Sequence, residues 1–160
     1  MASNRGPGDM IDGVDVKQLR VIHDARGYLQ ECMRSDDDIH DGFEWGQVYV
    51  SHVYKDIVKA WHMHKIQTDF VVCIVGMIKL AIYDGRESSP TNSHLNIYYI
   101  GERNPLLIRI PKGVYHGWKG LENFNLVLNM PNKLYIYNAP DEHRLSPFDL
   151  CPEVWEEENG

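Results

Sequence analysis

The stretch "KAWHMHKIQTDFVVCIVG", residues 59–76, contains two histidines and an aspartate, with enough residues between them for a single turn. Successive side chains of a β-strand point to opposite faces, so His62 and His64 share one face and Trp61 takes the other. The histidines face an interior only if Trp61 packs on the outside. Asp69 follows after room for one turn and opens an apolar run, so the returning strand can aim this carboxylate at the histidines.

Several other segments have the composition of short β-strands. They are rich in β-branched and aromatic residues and are separated by turn-forming residues, whereas helical periodicity is nearly absent. The segments are "VYVSHVY" (48–54), "LNIYYI" (95–100), "LLIRI" (106–110), "FNLVLNM" (124–130) and "KLYIYN" (133–138). Short strands at nearly even spacing predict an all-β sandwich or barrel, of which the jelly roll is the commonest form with a ligand-sized interior.

The length of 160 residues suits one domain with a core of its own. Residues 1–12 are dominated by glycine, proline, asparagine and aspartate, so we expect a flexible N-terminal arm. Residues 13–160 then form a single domain that ends in an acidic tail, "EEEN". No repeat or linker divides this domain.

The formal net charge of -7, with no cluster of lysine and arginine, argues against nucleic acid as a partner. The longest apolar run is far shorter than the ~20 residues that span a bilayer, so we expect no membrane association. Cys32, Cys73 and Cys151 leave one cysteine over in any pairing and contain no C-x-x-C motif. A reducing, cytoplasmic location fits this pattern.

A second stretch, "IPKGVYHGW", residues 110–118, combines a turn with His116 in the strand that follows. Together with the first stretch it forms the pair H-x-H-x4-D-x6-G and P-x-G-x2-H, which resembles the two motifs of the cupin superfamily. The usual first carboxylate of that superfamily is glutamate, whereas Asp69 stands here. The resemblance implies a cupin jelly roll with both motifs on its inner face.

A closer resemblance, from Asp24 to Asp149, is to the dTDP-4-dehydrorhamnose 3,5-epimerase family. The segment "DARGYLQE" is similar to a segment of that family. The similarity implies that Arg26 and Glu31 line a nucleotide-sugar pocket. The stretch from Gln47 to "VKAWH" aligns without a gap, and Gln47 is implied as a further substrate-binding residue. The resemblance implies a 4-keto-6-deoxy sugar nucleotide as substrate. It also implies a homodimer in which the arm and first strand lend residues to the neighbour.

The same resemblance assigns the chemistry. It implies His62 as the base that removes the proton beside the sugar ketone, and Asp149, within "SPFDL", as the residue that orients this base. Lys59 stands where the family has a phosphate-binding arginine, so the charge is kept and the bidentate fork is lost. Trp118 and several tyrosines, among them Tyr49, suit either the core or stacking on a base or sugar.

Three further positions depart from the family pattern. Asp69 stands in place of the lysine that helps to stabilise the enolate, Leu128 in place of the tyrosine that acts as opposing acid, and His64 in place of a glutamine. Tyr137 is our candidate for a substitute acid, provided that its strand places the phenol inside.

The replacements assemble His62, His64, His116 and Asp69, a set suited to a divalent transition metal such as Fe, Mn, Ni or Zn. Each of these residues alone can equally be an ordinary pocket residue. His62 cannot serve fully as both ligand and base. We therefore expect an epimerase or isomerase that a metal can assist, and keep two alternatives: a metal-dependent cupin oxygenase acting on a small organic substrate, and a sugar-nucleotide-binding cupin without catalysis.

Overall fold

The computed structural model describes residues 9–156 and confirms an all-β fold. Within this range there are twelve β-strands, two short 3₁₀-helices and no α-helix. The strands are β1 (Asp15–Gln18), β2 (Arg20–Asp24), β3 (Gly27–Glu31), β4 (Tyr49–Val53), β5 (Val58–Met63), β6 (Asp69–Val75), β7 (Met77–Tyr83), β8 (Leu95–Gly101), β9 (Leu106–Ile110), β10 (Tyr115–Gly120), β11 (Asn125–Asn129) and β12 (His143–Arg144). The 3₁₀-helices are Asp38–His40 and Pro152–Trp155. None of the helices in the described range is long and apolar enough to cross a bilayer.

Two five-stranded sheets form the jelly roll. One has the order β1-β9-β6-β11-β4 and the other β12-β5-β10-β7-β8, and the named strands pair antiparallel throughout. The hairpin β2-β3 stands apart as a third, two-stranded sheet. β5 and β10 lie in one sheet and β6 in the other, so the two motif stretches meet between the sheets.

The apolar run of β6 reads as continuous because both of its faces are covered. Val71 and Cys73 join the core between the sheets, whereas Phe70 and Val72 join a second cluster on the outer face. A strand buried on both sides gains from apolar residues at every position. Gly76 ends the strand with φ of 74°, and a Cβ there would lie 2.2 Å from the carbonyl oxygen of Phe124, so both the backbone angle and the space require glycine.

Trp61 packs on the outside of its sheet, as the alternation of β5 predicts. It is fully buried, and its ring lies 5.1 Å from that of Trp155 between centroids. Val154 belongs to the same cluster. The C-terminal 3₁₀-helix therefore supplies the outer cover that allows the histidines of β5 to face inward.

Two expectations require correction. "KLYIYN" forms no strand, and its apolar side chains are exposed, Tyr137 to 88%. Ile11, within the predicted flexible arm 1–12, is buried in the core, and its N–H donates to Asn96 Oδ1. Residues 1–8 of that arm and residues 157–160 of the acidic tail lie outside the described range.

Candidate active site

The site lies between the two sheets, on the inner face of β5 and β10. These strands pair antiparallel with His62 directly opposite His116. The strands approach closely at Gly117, where a Cβ would lie 2.2 Å from the Cβ of Ala60. Glycine at this position therefore sets the distance between the two histidine-bearing strands.

Asp69 enters from β6, in the opposite sheet, and is buried at 1% exposure. Its Oδ1 accepts hydrogen bonds from Gln67 Nε2 at 2.8 Å and Asn129 Nδ2 at 3.3 Å. Its Oδ2 lies 3.3 Å from His64 Nε2 and 3.7 Å from His116 Nε2. Burial raises the pKa of the Asp69 carboxyl, but the His64 hydrogen bond and the two imidazoles outweigh this effect, so the net pKa is lowered.

His64 lies one residue beyond the end of β5, and the segment around Asp141 orients it. Its Nδ1 contacts the carbonyl oxygen of Asp141. The Asp141 carboxylate accepts the backbone N–H groups of residues 65, 66 and 67 at 2.9, 2.9 and 3.1 Å. The carbonyl of His64 accepts the N–H of Gly113 at 2.6 Å, in the turn that precedes β10. The segment around Asp141 thus holds the imidazole, and the second motif stretch holds the backbone of His64.

His116 is buried at 3% exposure, and burial lowers its pKa to about 4. Its Nδ1 lies 3.4 Å from the carbonyl oxygen of Val114. The potential ligand atoms of His64, Asp69 and His116 all lie within 4.8 Å of one another. Three of the four predicted metal ligands therefore converge, and His62 lies outside this group.

His62 has a different carboxylate neighbour from the one predicted. Its Nδ1 lies 3.8 Å from Glu142 Oε1, and Glu142 Oε2 accepts a 2.9 Å hydrogen bond from Arg144. Asp149 instead accepts the N–H of Ser146 in an exposed turn. The structure therefore places Glu142, and not the predicted Asp149, beside His62. Burial lowers the pKa of His62 more than Glu142 raises it, so the imidazole is neutral near pH 7 and can accept a proton.

Two adjoining cavities surround these residues. The first has a volume of about 370 Å³ and is lined by the three site histidines together with Gln47, Tyr49 and Tyr137, among others. The second, of about 580 Å³, contains Lys59. Both are lined by Tyr49, His62, Trp118, Glu142 and Arg144.

Most predicted substrate-binding residues line these cavities, but the hairpin residues do not. Arg26 is 89% exposed and pairs with Asp24, and Glu31 pairs with Arg34. Lys59 donates to Ser51 Oγ at 3.0 Å and to the carbonyl of His52 at 2.5 Å.

Sequence reasoning missed four residues that shape the site: Gln67, Asn129, Asp141 and Glu142. The adjacent acids in "APDEH" were the available signal for Asp141 and Glu142. It also missed the placement of Tyr49, on the sheet that faces His62. The Tyr49 hydroxyl accepts a 2.7 Å hydrogen bond from Asn129 Nδ2, and burial raises its pKa to about 12.

A profile of the dTDP-4-dehydrorhamnose 3,5-epimerase family matches residues 9–154. The chain belongs to this family. Membership in the epimerase family confirms the resemblance drawn from "DARGYLQE" and the two histidine stretches, and with it the epimerase type of enzyme. It also agrees with the jelly-roll fold.

Two curated proteins and one solved structure illustrate the likeness within the epimerase family. The "Probable low-salt glycan biosynthesis epimerase Agl13" of Haloferax volcanii is 43% identical over 141 residues, which cover 87% of this chain and 89% of that protein. The "Spore coat polysaccharide biosynthesis protein SpsL" of Bacillus subtilis is 39% identical over 141 residues, covering 88% and 91%. A dTDP sugar isomerase from Desulfovibrio desulfuricans has a TM-score of 0.81 and 29% identity, and the match covers 91% of this chain and 92% of that one.

Proposed function

We propose that the protein inverts a carbon next to the ketone of a 4-keto-6-deoxy sugar nucleotide. The observation that carries this proposal is the half-buried His62, backed by Glu142, on the wall of a cavity of sugar size. Names of the relatives support the substrate class, since one is an epimerase of glycan biosynthesis and the other a protein of polysaccharide biosynthesis.

His62 is the base in this reaction. Its Nδ1 faces Glu142, which leaves Nε2 as the nitrogen that takes the proton from the carbon beside the ketone. The electron pair of the broken C–H bond moves to the carbonyl oxygen and forms an enolate. Glu142 stabilises the imidazolium that results, in the way a carboxylate supports a general base in other enzymes.

Inversion requires a proton from the opposite face, and Tyr49 is placed for this role. It lies on β4, in the sheet opposite to β5, and it lines both cavities with His62. Its oxygen accepts from Asn129, so its O–H remains available to the substrate. With a pKa near 12 the phenol stays protonated at neutral pH. Tyr137, our sequence candidate for the acid, also lines the first cavity but is 88% exposed.

The diphosphate fits the second cavity. Lys59 is held there by Ser51 and His52, and Arg144 lies on the wall that both cavities share. A nucleotide sugar is elongated, so two adjoining cavities with cations at one side suit its sugar and its diphosphate. Lysine attracts phosphate as a point charge.

The dimer predicted from the family resemblance remains part of this proposal. The hairpin β2-β3 exposes Ile22, Tyr28 and Leu29, and β4 is an edge strand with Val50 exposed. An exposed apolar hairpin and an unpaired strand edge each suit a symmetric contact between two copies. Such a contact can carry Arg26 of the hairpin towards the neighbour's cavity. Light scattering that gives a monomer at micromolar concentration refutes this part.

The test is proton exchange. The purified chain is incubated in heavy water with a dTDP-4-keto-6-deoxy sugar, and deuterium in the sugar is followed by mass spectrometry, with His62→Asn as the inactive control. Uptake in the parent chain alone supports the proposal. Oxygen consumption with Fe(II) and no exchange selects the oxygenase. Binding of dTDP by calorimetry without exchange or oxygen consumption selects the non-catalytic binding protein.

A further inference from the structure

We propose that His64, Asp69 and His116 bind one divalent transition-metal ion whose open positions face the sugar cavity. The ion's presence is independent of the proposed function, whereas its role as electrophile rests on that function. The proton transfers proposed for His62 and Tyr49 do not depend on this ion.

The first argument is the direction of the lone pairs. In both histidines Nδ1 lies beside a backbone carbonyl, that of Asp141 for His64 and that of Val114 for His116. A carbonyl only accepts, so Nδ1 is the nitrogen that holds the proton when a ring carries a single one, and Nε2 then keeps its lone pair. Both Nε2 atoms point to Asp69 Oδ2, at 3.3 and 3.7 Å. Three electron-pair donors therefore converge on one point.

A single proton does not satisfy this arrangement. Placed on His64 Nε2, it can serve the 3.3 Å contact with Asp69. The 3.7 Å separation between His116 Nε2 and the same oxygen is longer than a hydrogen bond. A cation between the three atoms serves all of them at once, and converging donors of this kind are costly to hold together without one.

The carboxylate is already oriented for a ligand. Gln67 and Asn129 both donate to Oδ1, which fixes the plane of the Asp69 carboxylate and leaves Oδ2 directed at the imidazoles. Carbonyl partners on Nδ1 and amide partners on a carboxylate are the outer contacts that metal ligands usually have. The three ligands come from the β5-β6 loop, β6 and β10, so the tertiary fold holds the site.

The separations and the donor types suit a first-row ion. An ion about 2.1 Å from each ligand atom places neighbouring ligands roughly 3.0 to 3.4 Å apart. The two distances to Asp69 Oδ2, 3.3 and 3.7 Å, lie close to this range. Two imidazoles and one carboxylate match Fe, Mn, Ni or Zn and leave positions open for substrate oxygen. His64 and His116 also line the first cavity, so those positions are accessible to the sugar.

This assignment separates the two roles that His62 could not fill together. His62 lies outside the ligand group, and its ring centroid is 6.3 Å from that of His116. The base and the ion therefore act on neighbouring atoms of the sugar. His62 takes the proton, the electron pair of the C–H bond moves onto the ketone oxygen, and the ion stabilises that oxygen as a Lewis acid. Reprotonation restores the ketone, so no oxidant or reductant is needed.

The experiment measures the ion directly. Full-length protein without an affinity tag is analysed for metals as purified, and then stripped with chelator and titrated with Co(II), whose visible absorption reports inner-sphere ligands. We expect about one ion per chain and saturable Co(II) bands. His64→Gln and Asp69→Asn should each weaken Co(II) binding by about tenfold or more, whereas His62→Asn should bind it as the parent does.

Melting curves of the stripped variants, with and without Co(II), guard against misfolding, because a folded variant that lacks the site melts cooperatively but gains no stability from the ion. The proposal is overturned if the parent chain is metal-free and shows neither Co(II) bands nor a melting shift. It is equally overturned if folded His64→Gln binds Co(II) as well as the parent does. Exchange activity in a chain that binds no metal removes this proposal and keeps the proposed function. Metal binding without exchange keeps this proposal and removes the proposed function.

Discussion

Replacing Glu142 by glutamine should move the acid limb of the pH profile of kcat/KM. His62 must be neutral to accept a proton, so this limb follows the pKa of His62. Burial lowers that pKa and the Glu142 carboxylate raises it. Glutamine removes the carboxylate and leaves the positive charge of Arg144 in place, so the pKa falls and the limb shifts to lower pH.

The magnitude follows from the 3.8 Å separation between His62 Nδ1 and Glu142 Oε1. Two charges at this distance interact by about 1 kcal/mol in water and about 4 kcal/mol at an effective dielectric constant near 20. The side chains are 25% and 14% exposed, and Arg144 neutralises part of the carboxylate. We therefore take roughly 1.4 kcal/mol for the interaction between the His62 imidazolium and the Glu142 carboxylate. Its loss corresponds to a shift of the acid limb by about one pH unit and to a kcat/KM plateau about tenfold lower.

The assay is the rate of deuterium uptake between about pH 5 and 8, because an imidazole titrates in roughly this range. Asp149→Asn is the matched control, because family resemblance points to Asp149 and the structure points to Glu142. It should leave the limb in place, since Asp149 only accepts the Ser146 N–H. A shift in Asp149→Asn together with an unchanged limb in Glu142→Gln would refute the assignment.

Four further outcomes are expected. Tyr49→Phe should keep deuterium uptake at the carbon facing His62 but yield little inverted sugar, which NMR of the product distinguishes; equal inversion contradicts the role of Tyr49. Lys59→Gln should weaken dTDP binding by calorimetry by roughly tenfold, the loss of one charged hydrogen bond, and unchanged affinity contradicts the diphosphate site. Gly117→Ala should lower stability by about 1–3 kcal/mol in urea, since its Cβ meets that of Ala60 at 2.2 Å; parent-like stability would show that the strands can separate. Asp84 has a lowered pKa: burial opposes this, but hydrogen bonds from Arg86 and neighbouring hydroxyls outweigh it. Its stabilisation is therefore present above about pH 4 and is lost as the pH falls, and Asp84→Asn should flatten the decline measured by urea titrations below pH 5.

Alternation in β5 was sufficient to predict which side chains share a face. His62 and His64 line the same cavity, and Trp61 is buried on the other side. The two-residue period is a local property of an extended backbone, so it is encoded in neighbouring residues. The same period did not make "KLYIYN" a strand, because a strand also needs a partner edge to satisfy its backbone groups.

Tertiary contacts decided which groups each histidine contacts. β5 ends at Met63, and the Asp141 carbonyl sets the orientation of the His64 ring beyond it. The loop that supplies Asp141 also brings Glu142 to His62, about eighty residues away in the chain, which is why Glu142 and not Asp149 lies beside this imidazole. Residue types and strand faces follow from local sequence, whereas the choice of partner across the cavity depends on how an irregular loop is held by hydrogen bonds to a distant turn.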